Sequence, residues 1–515
     1  MKKTKKWLAL LLCVIMCVSF FAGCGNDDAS DEKIVTYGLS GAWTRLMPYD
    51  MVGMNSIIPN EKIYDRLFGF DNENIIYNRA AESVDVSDDM RTFTIHLRQD
   101  SKWHDGNPVT AYDWEWTFKT MALPQFEGYG NRGYLAYFAG TDASGTGDIE
   151  VKALDDYTLE MKIKEACTPE AFFGAYSYYY YVLPQHILGD IPVDELGTCD
   201  FWDNPIGSGP CMFVEQQEGY EVVLEAFDDY YLGRPEFDKL IYRVMSSTSL
   251  SAGILAGEFD TGWATVSPEE AVETLDGQNG IHAELMDNKN YTKLNLNNEL
   301  FPAEVRHAFE IAIDKELIVE SVLKGYGSVT CSYIMPSSKY YNDIKFERNT
   351  EEAKKMLDEA GFDYSRTYSL AVASAENEKM AVIIQQNLAE IGVKVEIQSC
   401  DNATLLAGAR DGSFDMSIGS TTTLGSPTYY MLNLNPDAIT YSRVNDKELY
   451  DMLLAINLET DEAKRIEMAK EMQEKFYEKS PYISLCFKDI YLVLSEKMSN
   501  VDIPNNDKCW EWKVK

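Results

Sequence analysis

Residues 101–114, with the sequence SKWHDGNPVTAYDW, contain the residue types that most often do chemistry in proteins. His104 and Asp105 are adjacent there, and imidazole and carboxylate groups are common proton carriers and metal ligands. The same segment contains Asp-Gly and Asn-Pro pairs, which favour turns, followed by Thr110, a good helix N-cap. We therefore expect His104 and Asp105 to form a corner between a strand and a helix rather than a reactive site.

The remaining histidines give no stronger indication of catalysis. No two histidines share a metal-ligand spacing along a helix, and no HExxH, GxSxG or GxxxxGK[ST] motif occurs. Acidic pairs are frequent, but chance produces them in a chain with 83 acidic residues. The sequence therefore predicts no enzyme, no metal site and no cofactor. The histidines are His96, His104, His186, His282 and His307.

The net charge excludes one class of partner. The chain has 46 basic and 83 acidic residues, which gives −37 at pH 7. A field of this sign repels the phosphate backbone of nucleic acids, so nucleic-acid binding is excluded. The length of 515 residues exceeds what one hydrophobic core usually serves and favours two or three domains.

The N-terminus has the features of a secretory signal peptide. MKKTKK precedes an apolar run, WLALLLCVIMCVSFF, which is shorter than the roughly twenty residues of a membrane span. The sequence FAGC at residues 21–24 resembles a bacterial lipobox, whose cysteine becomes lipid-modified. We expect a signal peptide over residues 1–23, lipid on Cys24 and a polar tether over residues 24–33. The alternative is an ordinary signal peptide, with Cys24 as a plain thiol.

The cysteines after Cys24 do not form a recognisable framework. Their number is odd, and no CxxC or zinc-like spacing occurs among them. Cys199 and Cys211 are the nearest pair in sequence and are a candidate disulfide. The others are expected to be small buried side chains. The full set is Cys167, Cys199, Cys211, Cys331, Cys400, Cys486 and Cys509.

The elements that must position any site are a mixture of strands and helices. RTFTIHLRQ and YTLEMKIKE alternate apolar and polar residues, as half-buried strands do, and a helix is expected over AYDWEWTFKTMA between them. Further on, YISLCFKDIYLVLS predicts a strand after a long helix that Pro481 ends. The pattern is that of an α/β or α+β chain.

Helix signals in the second half are well defined. Val305, Ala308, Phe309 and Ala312 form one apolar stripe in FPAEVRHAFEIAID. Capping residues bound the next two helices: Asp314 and Gly325 for the first, Thr350 and Gly361 for the second.

The order of several segments resembles a known family. IYDRLFGFD is followed by AAESVDVSDDMRTFTIHLRQDSKWHDGNPVTAYDWEWTF, then NPIGSGPCMFVEQQEGYEVVLEAFDDYYLGRPEFDKLIY and LNLNNELFPAEVRHAFEIAIDKELIVESVLKGYG. EEAKKMLDEAGF and NLAEIGVKVEI come later. These blocks resemble the extracytoplasmic solute-binding proteins, family 5, which are the oligopeptide-, dipeptide- and nickel-binding lipoproteins of ABC importers.

This resemblance implies an α/β, two-lobed, periplasmic-binding-protein-like fold of type II, cluster C, with an extra inserted domain. Chain crossings near residues 289–294 and 480–485 would form the hinge, and solute would be enclosed by hinge closure. The implied parts are lobe I, residues 34–58, 166–288 and 484–515; the inserted domain, residues 59–165; and lobe II, residues 289–483.

The function implied is that of a substrate-binding lipoprotein that captures oligopeptides and delivers them to a membrane permease. The partners would be the ABC permease subunits with their ATPases, and the membrane through a lipid anchor. The protein would be an extracytoplasmic monomer without cofactor or catalysis. The alternatives are a peptide-sensing surface lipoprotein for signalling, a receptor for a non-peptide solute, and a secreted hydrolase.

The sequence departs from the dipeptide-binding pattern. Such members hold the ligand's amino group with an aspartate after a glycine-tryptophan turn, and its carboxylate with an arginine. The corresponding stretches here, residues 416–432 and 370–380, contain neither the aspartate nor the arginine. A dipeptide held at both ends is therefore not expected, whereas longer peptides can be gripped through their backbone. A sugar on Tyr429 or Tyr430, or a metal chelate on Arg132, are further alternatives.

The predicted cleft residues mostly have aromatic faces or hydrogen-bonding groups, which suit contact with a solute. Each of them could instead be a packing residue. The candidates are Trp43, Tyr129, Arg132, Tyr134, Trp263, Asn290, Tyr291, Thr421, Thr422 and Tyr429.

Overall fold

The computed structural model describes most of the chain from residue 32 onward, and Ile34–Lys515 form one compact unit. The signal peptide and Cys24 lie outside the described residues. The structure describes residues 32–515 except 44, 50–53, 71–75, 127–131, 143, 177–179, 263–265, 423–424, 426, 428–433, 435–439 and 502–507. The backbone alone is described for 54, 70, 132–134, 174–176, 247–248, 287–289 and 422.

The helices of the described chain are mostly short. They are α1 Met54–Ile63, α2 Ala111–Met121, α3 Pro169–Tyr176, α4 Gln185–Leu188, α5 Ser247–Leu255, α6 Pro268–Glu270, α7 Ala303–Ala312, α8 Lys315–Ser321, α9 Thr350–Glu359, α10 Ala375–Glu390, α11 Asn402–Asp411, α12 Lys447–Leu458 and α13 Glu462–Lys479. Helical turns of other types occur at Arg132–Tyr137, Leu196–Thr198, Asp200–Asp203 and Ala271–Leu275.

The strands are, in chain order, β1 Ile34–Leu39, β2 Phe68–Phe70, β3 Ile76–Asn78, β4 Ala81–Val86, β5 Thr92–Leu97, β6 Val151–Asp155, β7 Thr158–Lys162, β8 Cys211–Gln217, β9 Glu221–Ala226, β10 Lys239–Val244, β11 Thr261–Gly262, β12 His282–Leu296, β13 Gly327–Val329, β14 Thr367–Val372, β15 Lys394–Ser399, β16 Met416–Thr422, β17 Tyr482–Leu494, β18 Met498–Ser499 and β19 Lys513–Val514.

One large mixed sheet runs through the molecule. Its strand order is β15-β14-β16-β12-β17-β11-β1-β10-β9-β8, with β13 also paired to β17. A separate four-stranded sheet, β4-β5-β7-β6, is antiparallel throughout. Both strands predicted from alternating residues, β5 and β7, are adjacent in this smaller sheet.

Four buried clusters form the core. The largest combines residues of the four-stranded sheet with those around β1 and β8 to β10, and includes Trp103, Trp114 and Trp512. A second lies between β12, β14 and β16 and the helices α7, α9 and α10, and contains the predicted stripe of α7. A third packs α12 and α13 against β12 and β17, and a small fourth surrounds α5. Strand β17 contributes buried residues to all four clusters and β12 to three of them, with Ala283 of β12 packed against the fourth.

Local capping signals predict the helix ends to within a few residues. Asp314 caps α8 as expected, accepting a hydrogen bond from the Leu317 amide at 2.8 Å. Helix α9 begins at Thr350, the residue predicted to be its cap, because the side chain of Asn349 accepts the bond from the Glu352 amide instead. Helix α8 ends at Ser321, before the predicted Gly325.

The candidate disulfide between Cys199 and Cys211 is wrong, since all seven cysteines after Cys24 are free thiols. The Cys199 thiol donates to the Leu196 carbonyl at 3.3 Å, and Cys211 is buried in the largest core cluster at the start of β8. The Cys199 thiol therefore has a hydrogen-bond partner nearby in the chain, and the Cys211 thiol packs in the core.

The corner predicted at His104 is confirmed, and the structure shows what the ring does. Nε2 donates to the Gly209 carbonyl at 3.0 Å, and Nδ1 accepts from the Gly207 amide at 3.2 Å. A Cβ atom at position 207 would lie 1.8 Å from the carbonyl oxygen of Ile63, so only glycine fits at this position of the turn. Burial lowers the pKa of His104 to about 4. The neutral ring therefore fastens the turn at residues 207–209 to the strand-to-helix corner.

We expect His104→Gln to lower the free energy of unfolding by about 1–3 kcal/mol, because buried backbone groups lose their partners. Ligand affinity should stay nearly intact. The pKa of about 4 lies below the usual 6.5 of the unfolded chain, so the His104 contribution is complete above pH 6.5. It declines as pH falls from 6.5 towards 4, and the variant should lack that part of the pH dependence.

Urea unfolding of both proteins between pH 4.5 and 7.5 measures this effect. His96→Gln is the matched control, since the His96 side chain is 42% exposed. A large loss of binding by a well-folded His104→Gln protein would contradict the structural role.

Candidate functional site

Two sets of parallel strands end inside the large sheet. In the first set, β1 is parallel to β10 and β11, and these strands end at Leu39, Val244 and Gly262. In the second set, β14 is parallel to β15 and β16, which end at Ser399 and Thr422. Ligands of open α/β sheets bind beyond the carboxyl ends of the strands. Each set therefore provides an edge suited to binding.

The two carboxyl edges point towards each other. Strand β16 is antiparallel to β12 and β11 is antiparallel to β17, while β12 and β17 are antiparallel to one another. Thr422, the last residue of β16, lies opposite Asn290 of β12, and Gly262, the last of β11, lies opposite Val493 of β17. Both edges thus approach the middle of the β12–β17 pair from opposite ends.

The middle of that pair is irregular. Met286 pairs with Ile490 and Asn290 with Lys488, so three residues of β12 stand against Asp489 alone. Such bulges bend a strand and interrupt its ladder, and they often adjoin functional sites. Burial raises the pKa of Asp489, whose amide donates to the Tyr326 carbonyl at 3.2 Å. We define the cleft edge as the region around this bulge.

A charged pair lies at the cleft edge. The Lys488 ammonium donates to both carboxylate oxygens of Glu376, at 3.0 and 2.8 Å. Lys488 belongs to β17, and Glu376 to the first turn of α10, where a carboxylate is favoured by the helix dipole. Ser374 caps α10 by accepting from the Asn377 amide at 3.1 Å. The two side chains remain 27% and 40% exposed, so solvent can reach them.

Sequence reasoning missed this pair because its members are 112 residues apart. One signal was available, since Lys488 and Asp489 interrupt the otherwise apolar run YISLCFKDIYLVLS. A charge within a buried strand needs a partner or a ligand.

Three of the predicted cleft residues, Asn290, Thr421 and Thr422, lie on these edges, whereas a fourth, Trp43, is buried beside one of them. Asn290 and Thr421 are partly buried on β12 and β16, with Thr421 opposite Tyr291. Trp43 follows β1 but is 3% exposed, and its indole nitrogen donates to Gln216 at 3.2 Å. The backbone of Thr422 lies opposite Asn290. The described parts of the chain thus bring Asn290, Thr421 and Thr422 together.

Tyr291 is fully buried and packs in the core rather than facing a cleft. Its hydroxyl shares a 2.5 Å hydrogen bond with Ser484, and its ring is 5.4 Å from that of Phe487. Neighbouring Lys293 is also buried, 4.3 Å above the Tyr482 ring, and burial lowers its pKa to about 8.

The remaining candidates lie where the structure describes the backbone alone, or outside the described residues. Arg132 and Tyr134 belong to the turn Arg132–Tyr137, for which their backbone alone is described. Tyr129, Trp263 and Tyr429 lie outside the described residues, and so does the lipidation residue Cys24.

A second polar contact joins the two halves of the chain away from the sheet. Glu170 of α3 accepts a hydrogen bond from the Tyr340 hydroxyl at 2.8 Å and forms an ion pair with Arg465 of α13. Arg465 also donates to the Tyr340 hydroxyl at 2.9 Å, and its side chain is 11% exposed. The Thr168 amide donates to the Asn457 carbonyl at 2.8 Å. We call the set Glu170, Tyr340 and Arg465 the clasp.

Two features are absent from the part of the chain that the structure describes. No helix there is both long and apolar enough to cross a membrane. No group of three histidine, cysteine, aspartate or glutamate side chains could hold a metal ion there.

The chain matches a known protein family and is similar to relatives along most of its length. The model of the bacterial extracellular solute-binding proteins, family 5 middle, matches residues 76–439. The oligopeptide-binding protein AppA of Bacillus subtilis (strain 168) is 25% identical over 560 residues, covering 99% of both chains. The dipeptide-binding protein of Escherichia coli (strain K12) is 26% identical over 443 residues, covering 80% of this chain and 81% of its own.

Solved structures have the same fold. That of AppA from Bacillus subtilis in complex with a nonapeptide matches with a TM-score of 0.76 at 24% identity, covering 94% of this chain and 99% of AppA. AgaA of A. tumefaciens R10, in complex with agropinic acid, matches with a TM-score of 0.76 at 21% identity, covering 94% and 99%. The expected two-lobed α/β fold is thereby confirmed.

Because Tyr291 has a buried hydroxyl, we expect Tyr291→Phe to lower the free energy of unfolding by about 1 kcal/mol through loss of the bond to Ser484. Urea titration measures this, with Tyr220→Phe as the matched control because Tyr220 is 47% exposed. An unchanged stability together with altered ligand binding would show that the hydroxyl serves the ligand instead.

Proposed function

Because the chain belongs to family 5 of the bacterial extracellular solute-binding proteins, we propose that it is the substrate-binding component of an ABC importer that captures oligopeptides. The observation that carries this proposal is the pair of opposed carboxyl edges across the β12–β17 bulge. An extended peptide laid between them can pair its backbone with strand ends from both sides, which needs no fixed charge for each residue.

The proposed lobes follow the two strand sets. Lobe I takes the β1 set and lobe II takes the β14 set, joined by β12 and β17. The boundaries that we propose are residues 34–58, 166–288 and 484–515 for lobe I, 59–165 for the inserted domain and 289–483 for lobe II. The largest core cluster contains residues of both the inserted domain and lobe I, and this supports the proposal that the two move as one body.

Peptides are favoured over other solutes by the relatives, which are named for oligopeptides and dipeptides. Because the structure of AgaA is a complex with agropinic acid, a small non-peptide solute is the second candidate. Native mass spectrometry of protein purified without refolding, with fragmentation of the released ligand, separates them. Peptides of mixed sequence are the expected result, and a single non-peptide compound would overturn the peptide part.

We propose that the ligand is enclosed by hinge closure and that the clasp belongs to the closed state. Closure is driven only by what the ligand gains in the closed state over the open one. Arg465 is partly buried and pairs with Glu170 across the two proposed lobes. This ion pair stabilises the closed state and not the open one. No bond of the ligand is made or broken, so no catalytic residue is needed.

We expect Glu170→Gln to weaken ligand affinity about 5- to 50-fold, because Arg465 loses its charged partner only when the lobes are closed. Calorimetry, with ligand added back to the purified variant, measures the affinity. Small-angle scattering should show that Glu170→Gln has a larger radius of gyration than the unaltered protein before ligand is added. Asp451→Asn is the matched control, since its partner Lys447 lies on the same helix. Equal affinity and radius in both variants would contradict the role of the clasp.

We propose that the mature protein is a monomer anchored outside the cytoplasmic membrane by lipid on Cys24, near its permease and ATPase subunits. The motif FAGC and the polar stretch after it support this proposal.

Cells that express the full chain should incorporate labelled palmitate into the protein, and Cys24→Ser should abolish the label and release the protein from membranes. Cys400→Ser is the control, since Cys400 is a partly exposed free thiol. Retained label in Cys24→Ser would exclude this anchor.

A further inference from the structure

We propose that Lys315 and Cys331 form a modification site, where dioxygen joins the lysine nitrogen to the cysteine sulfur through a bridging oxygen atom. The product is a reversible covalent cross-link within the proposed lobe II. It goes beyond solute capture, because it makes the stability of the protein depend on the oxidation state of its surroundings. The clasp and the pair of Lys488 with Glu376 involve neither residue.

Proximity is the first support. The Lys315 ammonium lies 3.6 Å from the Cys331 sulfur, although the two residues are 16 positions apart in the chain. Both side chains are buried, so the contact is shielded from water. An oxygen atom between nitrogen and sulfur spans more of this distance than a direct nitrogen–sulfur bond. The bridge through oxygen therefore needs the smaller movement of the two side chains.

Both sides of the contact are held in place by hydrogen bonds. Lys315 is the first residue of α8, and the amide of the cap residue Asp314 donates to the side chain of Asn387 at 2.9 Å. On the other side, the Ser332 amide donates to the Thr330 hydroxyl at 2.9 Å, which fixes the turn that carries the sulfur. The reacting atoms are thus positioned before any oxidant arrives.

The lysine nitrogen also has a neighbour that can take its proton. A lysine ammonium has three N–H donors, and three acceptors lie within reach: the Glu310 carboxylate, the Thr330 carbonyl oxygen at 3.2 Å and the Cys331 sulfur. Glu310 forms a buried ion pair with Lys315, and burial raises the pKa of this carboxyl group. Glu310 is therefore suited to accept the proton that Lys315 must lose before its nitrogen reacts.

The reaction balances with dioxygen as the oxidant. After Glu310 takes one proton, the neutral amine gives up one N–H bond and the thiol its S–H bond. One oxygen atom forms the S–O and O–N bonds, and the other leaves as water with the two hydrogens. Sulfur and nitrogen lose two electrons each, and dioxygen gains all four. Two equivalents of dithiothreitol, each a two-electron reductant, restore the thiol and the amine and release a second water.

The lysine contact distinguishes Cys331 from thiols that only meet the backbone. Cys199 and Cys400 donate to the carbonyl oxygens of Leu196 and Val372 at 3.3 and 3.8 Å. Burial raises the pKa of the Cys331 thiol to about 11, so the thiolate, which attacks most oxidants and disulfides, is scarce. We therefore expect the bridge to form slowly, while Cys331 escapes the usual oxidation of exposed thiols.

The cross-link acts beside the strands that join the two proposed lobes. Strand β13 ends two residues before Cys331 and pairs with residues 486–488 of β17, next to the bulge. Joining Lys315 to Cys331 closes a loop that contains α8 and β13. Closing a loop lowers the conformational entropy of the unfolded chain. The bridged protein is therefore expected to be more stable than the reduced protein.

The experiment uses the mature chain, purified under argon with dithiothreitol and then divided. One half is kept for days in air-saturated buffer without reductant, and the other stays under argon. Both are digested with a glutamate-specific protease and measured by mass spectrometry. In the aerated half we expect residues 311–316 to be joined to residues 321–347, with the mass of both peptides plus one oxygen and minus two hydrogens. Dithiothreitol should separate them.

Three variants test the assignment. Lys315→Arg keeps the charge but lacks the primary amine, and Cys331→Ser lacks the sulfur, so neither should form the joined peptide. Cys400→Ser is the matched control and should form it, because Cys400 is a partly exposed free thiol elsewhere. Urea unfolding should give a higher midpoint for the aerated than for the reduced unaltered protein, and equal midpoints for the two samples of Lys315→Arg.

Separate peptides after aeration, with the Cys331 sulfur either free or oxidised without Lys315, would overturn the inference. Joined peptides that lack the added oxygen would exclude the oxygen bridge. Equal urea midpoints for bridged and reduced protein would overturn its stabilising effect. Because the unaltered protein is compared with itself in two redox states, the test does not depend on whether the variants fold. Each of these outcomes leaves the proposed capture of oligopeptides standing.

Discussion

The pairing of β12 with β17 is the constraint on which the rest of the structure depends. In the strand order of the large sheet, these two strands stand between the β14 set and the β1 set. Strand β17 contributes buried residues to every core cluster of the described chain, and β12 to three of the four. The direction of each neighbouring strand is fixed relative to them, and this is why two carboxyl edges meet at one bulge.

Local features of the fold were predictable from sequence because their causes are local. Asp314 caps α8 and Thr110 precedes α2 for reasons contained within four residues. The shift from Thr350 to Asn349 shows the limit of such reasoning, because adjacent residues of similar capping ability compete. The order of many blocks, rather than any one of them, indicated the two-lobed fold.

The site was less predictable because its residues are distant in sequence. Asn290 and Thr421 share an edge only through the register of β12 with β16. Tyr291 has the same residue type as a ligand-stacking tyrosine, yet the alternation of its strand turns it into the core beside Phe487. Glu376 and Lys488 meet only because folding brings the first turn of α10 within hydrogen-bonding distance of the Lys488 side chain of β17, and no spacing in the sequence indicates this.

The contact between Glu376 and Lys488 ties the first turn of α10 to the middle of β17. Both side chains are partly exposed, so dissolved salt screens their attraction more than it would screen that of a buried pair. Moving the start of α10 away from β17 therefore costs less free energy in a salty exterior than in dilute buffer. The salt concentration thus sets how firmly this part of the cleft edge is held.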